Sequence, residues 1–177
     1  MNRRTFLKAG AVAAGTPLLS SAAAGQATGA KAASDRIRMG LIGCGNMGTG
    51  DLKDFLKDER VQVTAVCDVN RETPGYWDGN IAGWEPARQF VEWHYARQKR
   101  SGIYKGCTAY QDFRQLLARQ DIDAVAIALP DHWHGLAVVA ACKAGKDIYG
   151  QKPLSLTVAQ GRIMSDAVKK YGRVFQT

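Results

Sequence analysis

Gly43-Cys44-Gly45-Asn46-Met47-Gly48 is the stretch on which the fold turns. It directly follows the branched apolar run Ile37 to Ile42. Asp68 stands 20 residues beyond Gly48, at the end of a second apolar run, Val61 to Cys67. A GxGxxG match alone is weak. The order strand, glycine turn, helix, strand, acid is what gives it weight. In that setting the first glycine permits a tight turn, the second lets backbone approach a pyrophosphate, and the third lets the helix pack close to the strand. Free N–H groups at the helix start attract phosphate charge. A carboxylate at the tip of the second strand accepts the hydroxyls of an adenosine ribose. The spacing therefore predicts a nucleotide-binding turn.

Between the two runs, Leu52, Phe55 and Leu56 repeat at helical spacing. Strand, helix and strand of this kind make a right-handed parallel crossover. Ala124 to Leu129 is a further apolar run, of the sort buried on both faces of a parallel sheet. Gly135 to Ala144 reads as a nearly all-apolar helix stopped by Gly145, and Asp147 to Gly150 as a short strand. Thr157 to Tyr171 reads as a helix opened by Thr157 and Gln160 at capping-box spacing. Arg173 to Thr177 begin one more strand. Residues 35–177 are thus expected to form an α/β domain, a doubly wound parallel sheet of Rossmann type.

Residues 72–107 differ. Pro74, Gly75, Gly79, Gly83 and Pro86 mark loops. A helix is expected from Ala87 to Lys99, carrying Phe90, Trp93 and Tyr95 among Arg88, Arg97, Lys99 and Arg100. Basic residues interleaved with aromatics fit a nucleic-acid-binding helix. They fit better a helix that packs its aromatics on the sheet and solvates its charges, so no nucleic-acid partner is expected. Phe113, Leu116 and Leu117 make a short helix before the Ala124 strand.

The first 30 residues read as an export signal and linker. Arg3-Arg4 with Phe6-Leu7-Lys8 forms a twin-arginine motif. An Ala/Gly-rich segment to Leu19 follows, then small residues with a cleavage point after Ala24. The apolar part is shorter than the roughly 20 residues a membrane span needs. Export in the folded state, through the twin-arginine (Tat) machinery to the periplasm, suits an enzyme that carries its nucleotide with it. Three of the cations behind the formal charge of +8 leave with the signal. The four cysteines, Cys44, Cys67, Cys107 and Cys142, show neither CxxC spacing nor a dense framework. Cys67 and Cys142 lie in apolar runs and behave as small core residues.

Two further clusters follow strands, where an open parallel sheet binds ligands. They are Pro130-Asp131-His132-Trp133-His134 and Gln151-Lys152-Pro153. His132 and His134 have metal-ligand chemistry, but no third ligand stands near in sequence, and no metal is expected. Lys152 precedes a proline at the mouth of a strand and has little backbone freedom. A cationic nicotinamide ring nearby would make its ammonium give up a proton more readily, which suits proton transfer.

Four features in order resemble the N-terminal domain of the Gfo/Idh/MocA oxidoreductases. They are the GxGxxG turn, the acid of Ala65-Val66-Cys67-Asp68, the segment with Pro130, Asp131 and His134, and Ala144-Gly145-Lys146 leading to Lys152-Pro153. The resemblance covers residues 35 to 177 and is closest to the exported members. It implies that Gly43, Gly45, Asn46, Met47 and Gly48 cradle the pyrophosphate of NAD, or of NADP. Asp68 would take the adenosine ribose, and Pro130, His134 and Gln151 would lie on the nicotinamide side, with Lys152 catalytic. The family's motif is Glu-Lys-Pro, and this chain has Gln151 in place of the glutamate. The resemblance also implies a second domain of about 200 residues that holds a sugar or polyol and serves oligomerisation. Without it the expectation is a chain inactive alone. NAD-dependent glycosidases share the fold and are the alternative, as is a nucleotide-binding module without turnover.

Replacing Arg3 and Arg4 with lysine is expected to retain the folded chain in the cytoplasm, as cell fractionation would show. Undiminished export of that variant rules the twin-arginine reading out.

Overall fold

The computed structural model describes residues 35–74 and 79–177. The export segment, its linker and the loop glycine Gly75 lie outside the described residues. The chain runs β1 (Ile37–Ile42), α1 (Asn46–Phe55), β2 (Val61–Cys67), β3 (Thr73–Pro74), β4 (Ile81–Ala82), α2 (Trp84–Ala96), β5 (Thr108–Tyr110), α3 (Phe113–Leu117), β6 (Ala124–Ile127), α4 (Asp131–Lys143), β7 (Asp147–Gly150), α5 (Val158–Tyr171) and β8 (Phe175–Gln176). Six strands pair in parallel in the order β5-β2-β1-β6-β7-β8, and β3 and β4 form a separate antiparallel pair. That is the doubly wound order, with its switch point between β1 and β6.

Alternation along the strands builds a core on each face. One core joins Ile42, Val125, Ile127 and Ile148 to Leu116, Val138 and Met164 of α3, α4 and α5. The other joins Met39, Leu41, Val63 and Ala126 to Leu52 and Val91 of α1 and α2. A register shift between Met39 and Gly40 inserts an extra residue into β2, opposite β1. Val63 and Val66 consequently face the same core, whereas Ala65 and Cys67 face the other. Side chains from both faces satisfy the backbone around this irregularity. The Val63 amide donates to the Tyr95 hydroxyl at 2.9 Å, and Arg119 donates to the Thr64 carbonyl at 3.2 Å.

Several boundaries differ from expectation. Helix α4 starts at Asp131, four residues before Gly135, because Pro130 has extended geometry and Asp131 sits in the positive first turn. Helix α2 runs Trp84–Ala96 and not 87–99. The Asn70 and Arg71 carbonyls accept from the Trp84 and Glu85 amides at 3.1 and 3.0 Å and so start it early. The third central strand ends at Ile127, two residues short of Leu129. Strand β5 and the β3–β4 pair had no apolar periodicity to announce them. Thr157 caps α5 by accepting from the Gln160 amide, while Gln160 Oε1 reaches back to the Leu156 amide. On α2, Tyr95 and Val91 face the sheet, but Trp93 remains exposed, stacked on Phe90 with Arg97 over its ring.

Leu52 is 1% exposed, and Leu52→Ala is expected to cost about 2–5 kcal/mol of stability in urea unfolding. Val158 is 92% exposed, and Val158→Ala should stay within about 0.5 kcal/mol. All four cysteines are buried thiols. Burial pushes the Cys67 and Cys107 thiols up to about 12, so almost no thiolate exists at pH 8. Iodoacetamide at pH 8 should therefore label the native chain negligibly and all four cysteines after unfolding.

Candidate functional site

The carboxyl ends of β1, β2, β5, β6 and β7 open onto one cavity of about 630 Å³. It is the crevice expected at the switch point of a doubly wound sheet. Gly43, Gly45, Asn46, Met47, Asp68, Pro130, Gln151 and Lys152 all line it. Residues more than 100 apart in sequence are thus neighbours because each follows a strand of one parallel sheet.

The glycine turn is packed without slack. Gly43 has φ +95°, where an L side chain is strained, and a Cβ there would overlap the Ala128 carbonyl oxygen. A Cβ on Gly48 would overlap the Gly43 carbonyl oxygen. Gly48 therefore does not line the cavity; it lets α1 press against the turn. Gly45 occupies the N-cap of α1, no side chain caps the helix, and its first turn holds no acid. Its first amides have no intrahelical acceptor. Asn46 Nδ2 is buried nearby without a hydrogen-bond partner. These unfilled donors fit an anionic ligand.

Asp68 closes the turn from β2. Its Oδ2 accepts from the Cys44 amide at 2.7 Å and its Oδ1 from the Asn70 amide at 2.9 Å. Each oxygen keeps a lone pair for a further donor. Cys44, buried beside it, has its thiol pushed well up by burial and by the Asp68 charge. Gln111, Asp112, Phe113 and Arg114 extend this side of the wall. Arg114 and Asp112 pair at 2.8 Å, which lowers the Asp112 pKa.

At the other end, Gln151 donates from Nε2 to Asp51 Oδ1 and Oδ2 at 2.8 and 3.1 Å. Its Oε1 accepts from the Lys152 amide at 3.1 Å. Trp133 and Leu136 of α4 give this end an exposed apolar wall. His134 does not line the cavity. It is 2% exposed, packed behind the wall, with Nδ1 and the Pro153 carbonyl 2.6 Å apart. The carbonyl has no proton, so Nδ1 carries the hydrogen and Nε2 remains buried without a partner. His132 is exposed and 3.5 Å from Asp131. Among the described residues no group of three or more His, Cys, Asp or Glu side chains is placed to hold a metal ion.

Sequence reasoning missed Asp51, Asp112, Arg114, Trp133 and Leu136 as neighbours of the site. Asp112 and Arg114 follow β5, a strand of three residues with no readable signal. Asp51 lies one turn beyond the glycine motif, where an acid looks like a solvated helix residue. Trp133 stood within a quoted cluster whose histidines drew the attention.

Comparison with known proteins agrees with this geometry. Residues 85–177 match the family model described as "Oxidoreductase family, NAD-binding Rossmann fold". Residues 1–20 match the twin-arginine translocation signal sequence, which directs the chain through that pathway to the periplasm. The chain is 35% identical over 173 residues to glycosyl hydrolase family 109 protein 2 of Shewanella sp. strain ANA-3. It is 30% identical over 177 residues to an alpha-N-acetylgalactosaminidase of Shewanella oneidensis. Each alignment takes in 90% of this chain and 35% of the relative, so the chain spans about a third of their length. Among solved structures, an NAD binding oxidoreductase from Klebsiella pneumoniae superposes with TM-score 0.55 at 27% identity, over 80% of this chain and 34% of that one. Scyllo-inositol dehydrogenase from Lactobacillus casei, solved with NAD(H) and scyllo-inositol, shares the fold with TM-score 0.59 at 20% identity, over 80% of this chain and 35% of that one. With more than half of its length inside the family match, and with the glycine turn, strand order and crevice that such a domain requires, the chain belongs to the Gfo/Idh/MocA oxidoreductase family and carries its NAD-binding Rossmann domain.

Proposed function

We propose that the chain forms the cofactor-binding side of an exported enzyme that moves a hydride at a CH–OH carbon of a sugar or polyol. The observation that carries this reading is a single cavity shared by Lys152, Asp68 and the uncapped start of α1. Bound there, a nicotinamide dinucleotide supplies the acceptor and donor for that hydride. Gly43 and Gly45 keep the approach clear of side chains. The amides of Asn46 and Met47 donate to the pyrophosphate. The remaining lone pairs of Asp68 accept the ribose hydroxyls, and its charge repels a 2′-phosphate, so NAD is preferred to NADP. Arg71, three residues on and over the Trp84 ring, is near enough to soften that preference. Pro130 and Gln151 bound the nicotinamide side. His134 acts from behind it, holding the Pro153 carbonyl next to Lys152. Lys152 Nζ, as the neutral amine, takes the hydroxyl proton as the hydride leaves and so becomes the ammonium, which returns the proton in the reverse direction.

The substrate side we place on a further domain, in keeping with the greater length of the relatives. Such a domain would hold the reacting carbon within reach of the ring, and would serve oligomerisation. A second reading is favoured by the glycosidase names of relatives at 30–35% identity. In it, oxidation of a ring hydroxyl is followed by loss of the aglycone, addition of water and return of the hydride. Lys152 has the same task in both.

Fluorescence titration should show NADH binding more tightly than NADPH. Asp68→Ala removes a charged acceptor and is expected to weaken NADH about ten- to hundred-fold. Tighter NADPH binding, or no loss in Asp68→Ala, overturns the ribose assignment. In a form that carries the substrate side, Lys152→Ala should abolish turnover while leaving NADH affinity within about two-fold. Accumulation of NADH with a polyol marks the dehydrogenase. Release of an aryl group from an aryl N-acetylgalactosaminide with no net NADH marks the glycosidase.

A further inference from the structure

Asp51 sits on the second turn of α1, half-buried. Among the described residues no lysine, arginine or histidine forms an ion pair with it. A carboxylate withdrawn from water without a cation is costly. Burial raises the Asp51 pKa, Asp54 on the same helix raises it further, and the hydrogen bond from Gln151 opposes both. Among the described residues the side-chain amide of Gln151, which lines the cavity, is the group that hydrogen-bonds this carboxylate.

Gln151 is in turn held at both ends. Its backbone amide donates to the Ile127 carbonyl at 2.9 Å, which anchors it to β6. With Nε2 committed to Asp51, its Oε1 must face the other way, where it accepts from the Lys152 amide. On the far side of Lys152, His134 holds the Pro153 carbonyl. Lys152 therefore lies between two tethers, one from α1 and one from α4. Position 151 also needs a donor. A glutamate there would bring two carboxylates within hydrogen-bond distance, and one would have to take a proton.

We propose that Asp51 is a positioning residue acting through Gln151. It orients the Gln151 amide that holds the Lys152 backbone at the cavity, and it supplies the negative charge that offsets a cationic ring seated beside Lys152. The proposal rests on the cavity being the nicotinamide site. It makes one demand that a purely structural contact does not. The charge of Asp51 must matter more for the oxidised cofactor, whose ring is cationic, than for the reduced one, whose ring is neutral.

Asp51→Asn keeps an acceptor for Gln151 Nε2 and removes the charge. Calorimetric titration with NAD+ and fluorescence titration with NADH should show the NAD+ to NADH affinity ratio falling about three- to ten-fold in this variant. Gln151→Glu alone should weaken both nucleotides about ten-fold. The double variant Asp51→Asn with Gln151→Glu, which transposes donor and carboxylate, should bring both to within about two-fold of the unaltered chain. Without any nucleotide, the Gln151 side-chain amide and Lys152 backbone amide should both shift in the 1H–15N spectrum of Asp51→Ala. An unaltered chain that binds neither nucleotide overturns the cofactor reading and this proposal with it. Binding by that chain with an unchanged ratio in Asp51→Asn, unmoved amide signals in Asp51→Ala, or a folded double variant that shows no rescue, overturns the proposal alone. If Gln151→Glu does not fold, the Asp51→Asn ratio decides.

Discussion

Gly48 packs so closely on the Gly43 carbonyl that no Cβ fits between them, and much of the molecule depends on that contact. A side chain there would push α1 off the end of β1. Because α1 presses in, its uncapped amides point into the crevice beside β6, and its second turn comes within reach of the end of β7. The Cys44 amide then meets Asp68 across the gap between β1 and β2. One steric constraint thus places the phosphate-attracting helix end, the ribose-side carboxylate and the Asp51–Gln151 contact together.

The sheet supplies the rigidity that such a turn needs. Both faces are covered, so β1, β2 and β6 are buried almost throughout, and apolar surface is removed from water on two sides. The extra residue in β2 is the one irregularity in the pairing of these central strands. Tyr95 from one layer and Arg119 from the other satisfy the backbone around it. Beyond the bulge the alternation resumes in shifted phase, and the shifted phase brings Val66 into the α1 and α2 core and Asp68 to the turn.

The site has two electrostatic halves. The Gly45–Gly48 turn offers donors and no acid, which suits a doubly anionic pyrophosphate. At the other end, Gln151 joins the half-buried Asp51 carboxylate to the Lys152 backbone amide. Where the family motif that this chain resembles has glutamate, Gln151 stands here, and its amide donates to a carboxylate carried on α1.

Much of this was legible in the sequence because local physics decides it. Branched runs at Ile37–Ile42 and Val61–Cys67, glycines at 43, 45 and 48, and an acid at 68 encode strand, turn, helix and strand without reference to the rest of the chain. The doubly wound class and the cluster of residues at strand ends followed from that pattern. Other features belonged to the tertiary structure. Strand β5 is too short to carry a period, and it exists because β2 offers it an edge. Helix α2 begins where the Asn70 and Arg71 carbonyls accept its amides. Whether His134 faces the cavity or the core depends on which side of α4 meets the Pro153 carbonyl, and the fold turned it inward. Asp51 and Gln151 are 100 residues apart, and nothing along the chain links them. Short-range spacing determines which elements form, whereas side-chain partners across a parallel sheet are set by packing between elements that meet only when the chain is folded.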